Sequence, residues 1–259
     1  MRYSLPEMAW AEGMRSDTLI KLRTATREHE RGLQRVLMPV VDHWSRRQSF
    51  FIGDSSETER THEAGAGVIA AAIAALWRWV GLLDRFQRSQ WVRQVKRATG
   101  MNVDNMAPFV SSDPDLRAAV QWSVALIRDL NDDMRRRFET VLADATARRL
   151  PPAQIERDLA RQIKITRRRA RLIALDQTRK IAAKMNELQQ VAAGIDQYVW
   201  QHSFRQNPRK HHVRRQGLRF YWSKPPRDGH PGHAINCRCD AAALLRPRTL
   251  REGYLNESL

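Results

Sequence analysis

After Gly194 the texture of the chain changes, and that change limits what it can fold into. Up to Gly194, apolar residues recur at helical spacing between charged ones. Beyond it come short runs of aromatic and β-branched residues broken by Pro, Gly and His. The expected fold class is mainly α with a small C-terminal α+β module: long helices packed as a helical body, then a short β-sheet. Four segments follow from this reading: an N-terminal helical arm over 1–60, a helical body over 61–194, a β-containing module over 195–246, and a polar tail over 247–259.

Leu19, Ile20, Leu22, Leu33, Val36, Leu37 and Val40 predict one long amphipathic helix over 6–47, kinked or divided at Pro39. Two more helices are expected over 62–84 and 84–100, the second stopped by Gly100. Asp113 before Pro114 predicts a helix start, because the carboxylate caps and Pro suits the first turn. That helix should run to about 148. A short helix follows Pro151 and Pro152, and a longer one is expected over 166–194, opened by Thr166 and closed by Gly194. Strands are expected within 196–204, within 217–222, and over 237–245. The apolar run AGVIAAAIAALWRWVGLL at 66–83 contains Arg78 and many small Ala residues. It reads as a buried helix and not as a membrane span.

The chain carries 45 Lys and Arg against 28 Asp and Glu, a formal charge of +17. Such an excess suits an acidic partner: nucleic acid, an acidic protein or a membrane surface. The densest basic run places Arg167, Arg168, Arg169 and Arg171 around one helix turn. Guanidinium groups bind phosphates bidentately and release counterions, so these four are candidate contacts to nucleic acid or an acidic partner. A solvated helix face is the plainer alternative. The eight tryptophans are spread over every segment, which suits core packing better than base stacking.

The stretch HPGHAINCRC at 230–239 holds both cysteines. Cys237 and Cys239 are one residue apart, so a bridge between them would be strained. Reduced thiols or metal ligation are expected, in keeping with a cytosolic setting. Both thiolates can leave one face of an extended segment, and His212, His230 or His233 can complete a zinc site. Alternatively, the cysteines pack as small apolar residues while the histidines bond backbone. A third arrangement sets Asp228, His230, His233 and Asn236 around a catalytic metal, as a nuclease needs. The chain has no phosphate-cradling glycine loop, no G-x-S-x-G and no HExxH.

YVWQHS, then PRKHH, then QGLRFYW, then GHPGHAINCRC resembles the phage Mu F-like minor head protein family, within the wider head-morphogenesis family of tailed phages. The residues that carry this are Trp200, Arg209 with His212, Gly217, Pro231 with Gly232, and Asn236 to Cys239, Arg238 included. The upstream helix RARLIALDQTRKIAAKMN is similar to the family's, with Asp176, Gln177, Thr178, Lys180 and Asn186 in place. The resemblance runs from about 85 to 245. The chain departs from the family at Arg205, where many members carry Asp, and at Leu175, where Arg is frequent.

The resemblance implies structural work and no catalytic residues: a minor component of the virion head, present in the procapsid and assembled in the host cytoplasm. The implied partners are the portal protein, the major capsid or scaffold protein, and packaged DNA, with no membrane span. Zinc is the one cofactor the residues bring into question. The alternative reading is a metal-dependent nuclease or a DNA-binding protein acting in packaging.

Overall fold

The structure, a computed structural model, describes residues 4–22, 24–46, 56–104 and 109–247, with 56–64 as backbone alone. The tail expected beyond 247 lies outside the described residues. Among those described are α1 (Leu5–Ala11), β1 (Thr18–Ile20), α2 (Arg27–Arg46), α3 (Ser56–Thr99), α4 (Pro114–Arg148), α5 (Pro152–Ala192), β2 (Gln197–Gln201), α6 (Lys210–Arg214), β3 (Arg219–Tyr221) and β4 (Asp240–Leu245). The chain is mainly helical with one small antiparallel sheet, the expected class.

The N-terminal arm is not one helix. Gly13, at φ +89°, ends α1 by donating to Trp10 O while Met14 N–H reaches back to Ala9 O. Thr18, Leu19 and Ile20 then pair antiparallel with Leu245, Leu244 and Ala243. Spacing alone placed Leu19 and Ile20 on a helix; the free edge of β4 recruits them as a strand instead, with Ile20 buried and Leu19 outward. Helix α2 runs through Pro39, which is exposed.

Two helix boundaries also vanish. Asp84 sits inside α3, where its buried carboxylate accepts the N–H groups of Val110 (3.3 Å) and Ser111 (2.8 Å) and ties down the connector. Thr166 sits inside α5 and donates to Gln162 O at 3.0 Å. The arginine run therefore lies mid-helix, where the dipole cost of a basic helix start does not arise. The expected cap of α4 is present: Asp113 Oδ1 accepts from Asp115 N at 2.9 Å and Leu116 N at 3.3 Å.

The chain forms two compact units from alternating stretches. The helical unit comprises 27–81 and 118–178, so it takes α2 and parts of α3, α4 and α5. Its core includes Leu33, Leu37, Leu76, Ile127, Leu130 and Phe138. Trp44 packs on Phe138 with ring centres 5.4 Å apart, and its indole N–H donates to Asn131 Oδ1 at 3.0 Å. The 66–83 run is buried only along Ala72, Leu76, Trp79, Val80 and Leu83, while Ala66, Gly67, Ala70, Ala71 and Ala74 are exposed. The buried helix expected here is buried along one stripe only. By length and composition alone, Gly65–Thr99 would suffice to cross a membrane.

The second unit comprises residues up to Thr26, Leu82–Arg117 and the chain from Arg179. Its sheet has the order β1-β4-β2-β3, all antiparallel, with Trp200 opposite Ala241 and Tyr198 opposite Phe220. Small residues in β4 let its neighbours approach closely: Ala241, Ala242 and Ala243 are all buried. One apolar cluster joins Leu5, Ile20, Trp91, Ile195 and Leu245; another joins Tyr198, Trp200, Cys237, Cys239 and Ala241. Buried amides from α5 bind the sheet backbone: Asn186 and Gln190 both donate to Ala241 O, at 3.0 and 3.1 Å.

Candidate functional site

The motif residues meet on the second unit, around Trp200. Gly217 N–H donates to Trp200 O, and Trp200 N–H donates to Leu218 O, both at 2.9 Å. Gly217 has φ +78°, a conformation that glycine adopts without strain. Arg209 reaches across to the turn and donates to Ile235 O at 2.7 Å. Asn236, at φ +56°, turns the chain so that Cys237 and Cys239 both enter the interior. Pro231 and Gly232 are buried, and Gly232 N–H points at Cys237 Sγ at 3.4 Å. Arg238, between the two cysteines, is half-buried and lines the adjoining cleft.

His212, on the short helix α6, completes the cluster. Its Nδ1 lies 3.6 Å from Cys237 Sγ and 3.5 Å from Cys239 Sγ. All three side chains are buried. The other ring nitrogen, Nε2, is 2.7 Å from Asp228 Oδ2. Asp228 is held in turn by His211 Nε2 at 2.9 Å and by Arg215 at 2.6 Å. Burial pushes the Asp228 carboxyl up, but its hydrogen bonds from His212, Arg215 and His211 outweigh that and hold it well below the usual carboxylate range. Trp200 stands edge-on to His212 with ring centres 5.1 Å apart, and the Arg215 guanidinium lies over the Trp200 ring at 4.9 Å. The Cys239 thiol, donating to Cys237, pulls the Cys237 thiol down against the effect of burial; Cys239, as the donor, is pushed up.

His230 and His233 stand apart from this cluster. The Tyr198 hydroxyl is 3.0 Å from His230 Nδ1. Burial pushes the tyrosine pKa up and the His230 pKa down, which favours the neutral form of both partners. His233 Nε2 lies 3.7 Å from Glu187 Oε2. Two groups of ligand-type atoms come within reach of one ion among the described residues: His212 with Cys237 and Cys239, and His211 with His212 and Asp228. Neither contains His230 or His233. The nuclease arrangement of Asp228, His230, His233 and Asn236 is thus divided, with Asp228 spent on α6 and His230 on Tyr198.

A cleft of about 640 Å³ opens on the cluster, lined by Arg205, Arg209, Arg238 and His202 as well as His212 and both cysteines. Asp228 as partner of His212 is a residue that sequence spacing does not reveal, since 16 positions separate them.

The basic run divides on the helical unit. Arg167 pairs with Asp42 at 2.8 Å, and Arg169 bridges Asp129 at 2.6 Å and Asp133 at 2.8 Å. Burial pushes the Asp133 carboxyl up, but the guanidinium groups of Arg137 and Arg169 outweigh that and hold it below its ordinary value. Arg168 and Arg171 are exposed and line a cleft with Arg27 and Arg31 of α2, beside Glu30. Arg27 and Arg31 were missed in the sequence, although their spacing of four places them on one helix face.

Residues 136–242 match the family model described as Phage Mu protein F like protein. This region is Mu F-like. The Mu F-like region takes in the arginine run, the α5 amides, β2, α6, β3 and the entire His and Cys cluster, so the family resemblance read from the motif is borne out over those residues. An uncharacterized protein of Haemophilus influenzae (strain ATCC 51907 / DSM 11121 / KW20 / Rd) is 29% identical over 156 residues. The aligned part covers 58% of this chain and 34% of that relative, so the chain spans about a third of its length. No solved structure matches the chain.

Proposed function

We propose that this chain is a minor head-morphogenesis protein of a tailed phage, acting in procapsid assembly and DNA packaging near the portal. The Mu F-like match over residues 136–242 carries the reading. The role is structural: the protein docks among portal, major capsid or scaffold protein and packaged DNA inside the virion head. A net charge of +17 suits that setting, because packed DNA is a dense polyanion.

The arginines that meet DNA are those not spent on ion pairs among the described residues. Arg167 and Arg169 hold α5 to Asp42, Asp129 and Asp133. Arg168, Arg171, Arg27 and Arg31 face solvent along one cleft, and they form the contact surface. Changing these last four to Ala should weaken binding to a short DNA duplex, measured by fluorescence anisotropy over a salt series. Each phosphate contact contributes about 0.9 to the slope of log affinity against log salt, so the slope should fall by about 3 to 4. An Arg167→Ala, Arg169→Ala pair should lower the melting temperature and leave most of the slope in place. An unchanged slope in the quadruple variant would remove DNA from this face.

A further inference from the structure

We infer that His212, Cys237 and Cys239 bind one zinc ion, with the fourth coordination position open to the arginine-lined cleft. In a tetrahedral zinc site, bonds of about 2.0–2.1 Å to imidazole and about 2.3 Å to thiolate set nitrogen and sulfur about 3.6 Å apart. His212 Nδ1 lies 3.6 and 3.5 Å from the two sulfurs. The three donor atoms all fall within 4.8 Å of one another, and all three side chains are buried. Two sulfurs and one imidazole are a soft, compact donor set that suits zinc and excludes magnesium or calcium as the natural occupant.

The surroundings are those of a metal ligand. A metal-bound histidine donates its second ring N–H to a carboxylate, which fixes the tautomer and ring orientation. His212 Nε2 does this to Asp228 at 2.7 Å, and Arg215 and His211 hold Asp228 in place. The Gly232 N–H directed at Cys237 Sγ offers the sulfur a hydrogen bond that a thiolate accepts better than a thiol. The cleft reaches His212 and both cysteines, so water or an outside donor can take the fourth position.

Such an ion ties α6, the 230–239 turn and the start of β4 together. The site stands independently of a role in the head: a chain that never enters a particle can still bind zinc, and a head protein can lack it.

The test uses the full chain without a histidine tag, expressed with added zinc and purified without chelator. Elemental analysis should give about one zinc per chain, falling below about a tenth in a Cys237→Ser, Cys239→Ser double variant. Since that variant can fail to fold, cobalt substitution of the unaltered chain gives a second reading. Tetrahedral cobalt should show intense visible bands together with thiolate charge-transfer absorption in the near ultraviolet. Asp228→Asn keeps all three ligands and should weaken zinc about 10- to 100-fold in competition with a chromophoric chelator. Less than about a tenth of an equivalent in the unaltered chain after equilibration with zinc, cobalt bands of the weak octahedral type, or full zinc retention in a folded double-serine variant would each overturn the assignment.

Discussion

Replacing Trp200 with Ala should cost about 3–5 kcal/mol of stability, the range for truncating a fully buried tryptophan. Trp200 is fully buried in β2 and stands opposite Ala241 of β4. Its ring fills the space beneath His212 and Arg215 and packs on Phe220, with centres 5.8 Å apart. Ala241 is too small to fill that space, and His212 is fixed by Asp228. Hydrogen exchange is the suitable measurement, because it reads the amides of β2 and β4 one by one. Protection of those amides should fall by two or more orders of magnitude, on the order of the factor of ten per 1.4 kcal/mol. Trp200→Phe should retain most of it. Unaltered protection in Trp200→Ala would mean that this cluster does not hold the sheet together.

Gly232→Ala should be the second most damaging single change. Gly232 has φ +89°, where an L side chain is strained by about 1–2 kcal/mol. A Cβ there would also lie 2.5 Å from the Cβ of Ala183 on α5, and 3.5 Å from the Arg179 carbonyl oxygen. Overpacking of that kind adds about 1–3 kcal/mol, so the total is about 2–5 kcal/mol. A double-variant cycle separates the two causes. Adding Ala183→Gly to Gly232→Ala should return the steric part and leave the backbone part, less the cost of about 1 kcal/mol for glycine in a helix. Chemical denaturation followed by near-ultraviolet circular dichroism measures both. If Ala183→Gly gives no recovery, the turn does not rest on α5 as described.

These two residues show how the sequence could be read. Trp200 and Gly232 were legible because the family resemblance singled them out before any packing was known. The helical body was legible from its apolar period, and α4 down to its cap at Asp113. Other features depended on contacts distant in sequence. Leu19 and Ile20 fit a helical register as well as a strand, and only pairing with β4 decides between them. Asp84 and Thr166 look like helix starts, yet one carboxylate is taken by the 110–111 backbone and one hydroxyl by its own helix. The cysteine pair announced itself, but which histidine joins it did not. His230 and His233 are nearer in sequence; α6 brings His212 from 25 residues away. Among the four arginines of the basic run, spacing could not tell those paired with Asp42, Asp129 and Asp133 from the two facing solvent.

Placement in the phage head is the claim on which the functional account turns, and quantitative mass spectrometry of purified heads tests it most directly. The portal protein serves as the internal standard, and procapsids and mature heads are measured separately. The account predicts that the chain co-purifies with both particles at a fixed ratio to the portal that survives a high-salt wash. A chain abundant in the infected lysate but absent from washed procapsids and heads would contradict it.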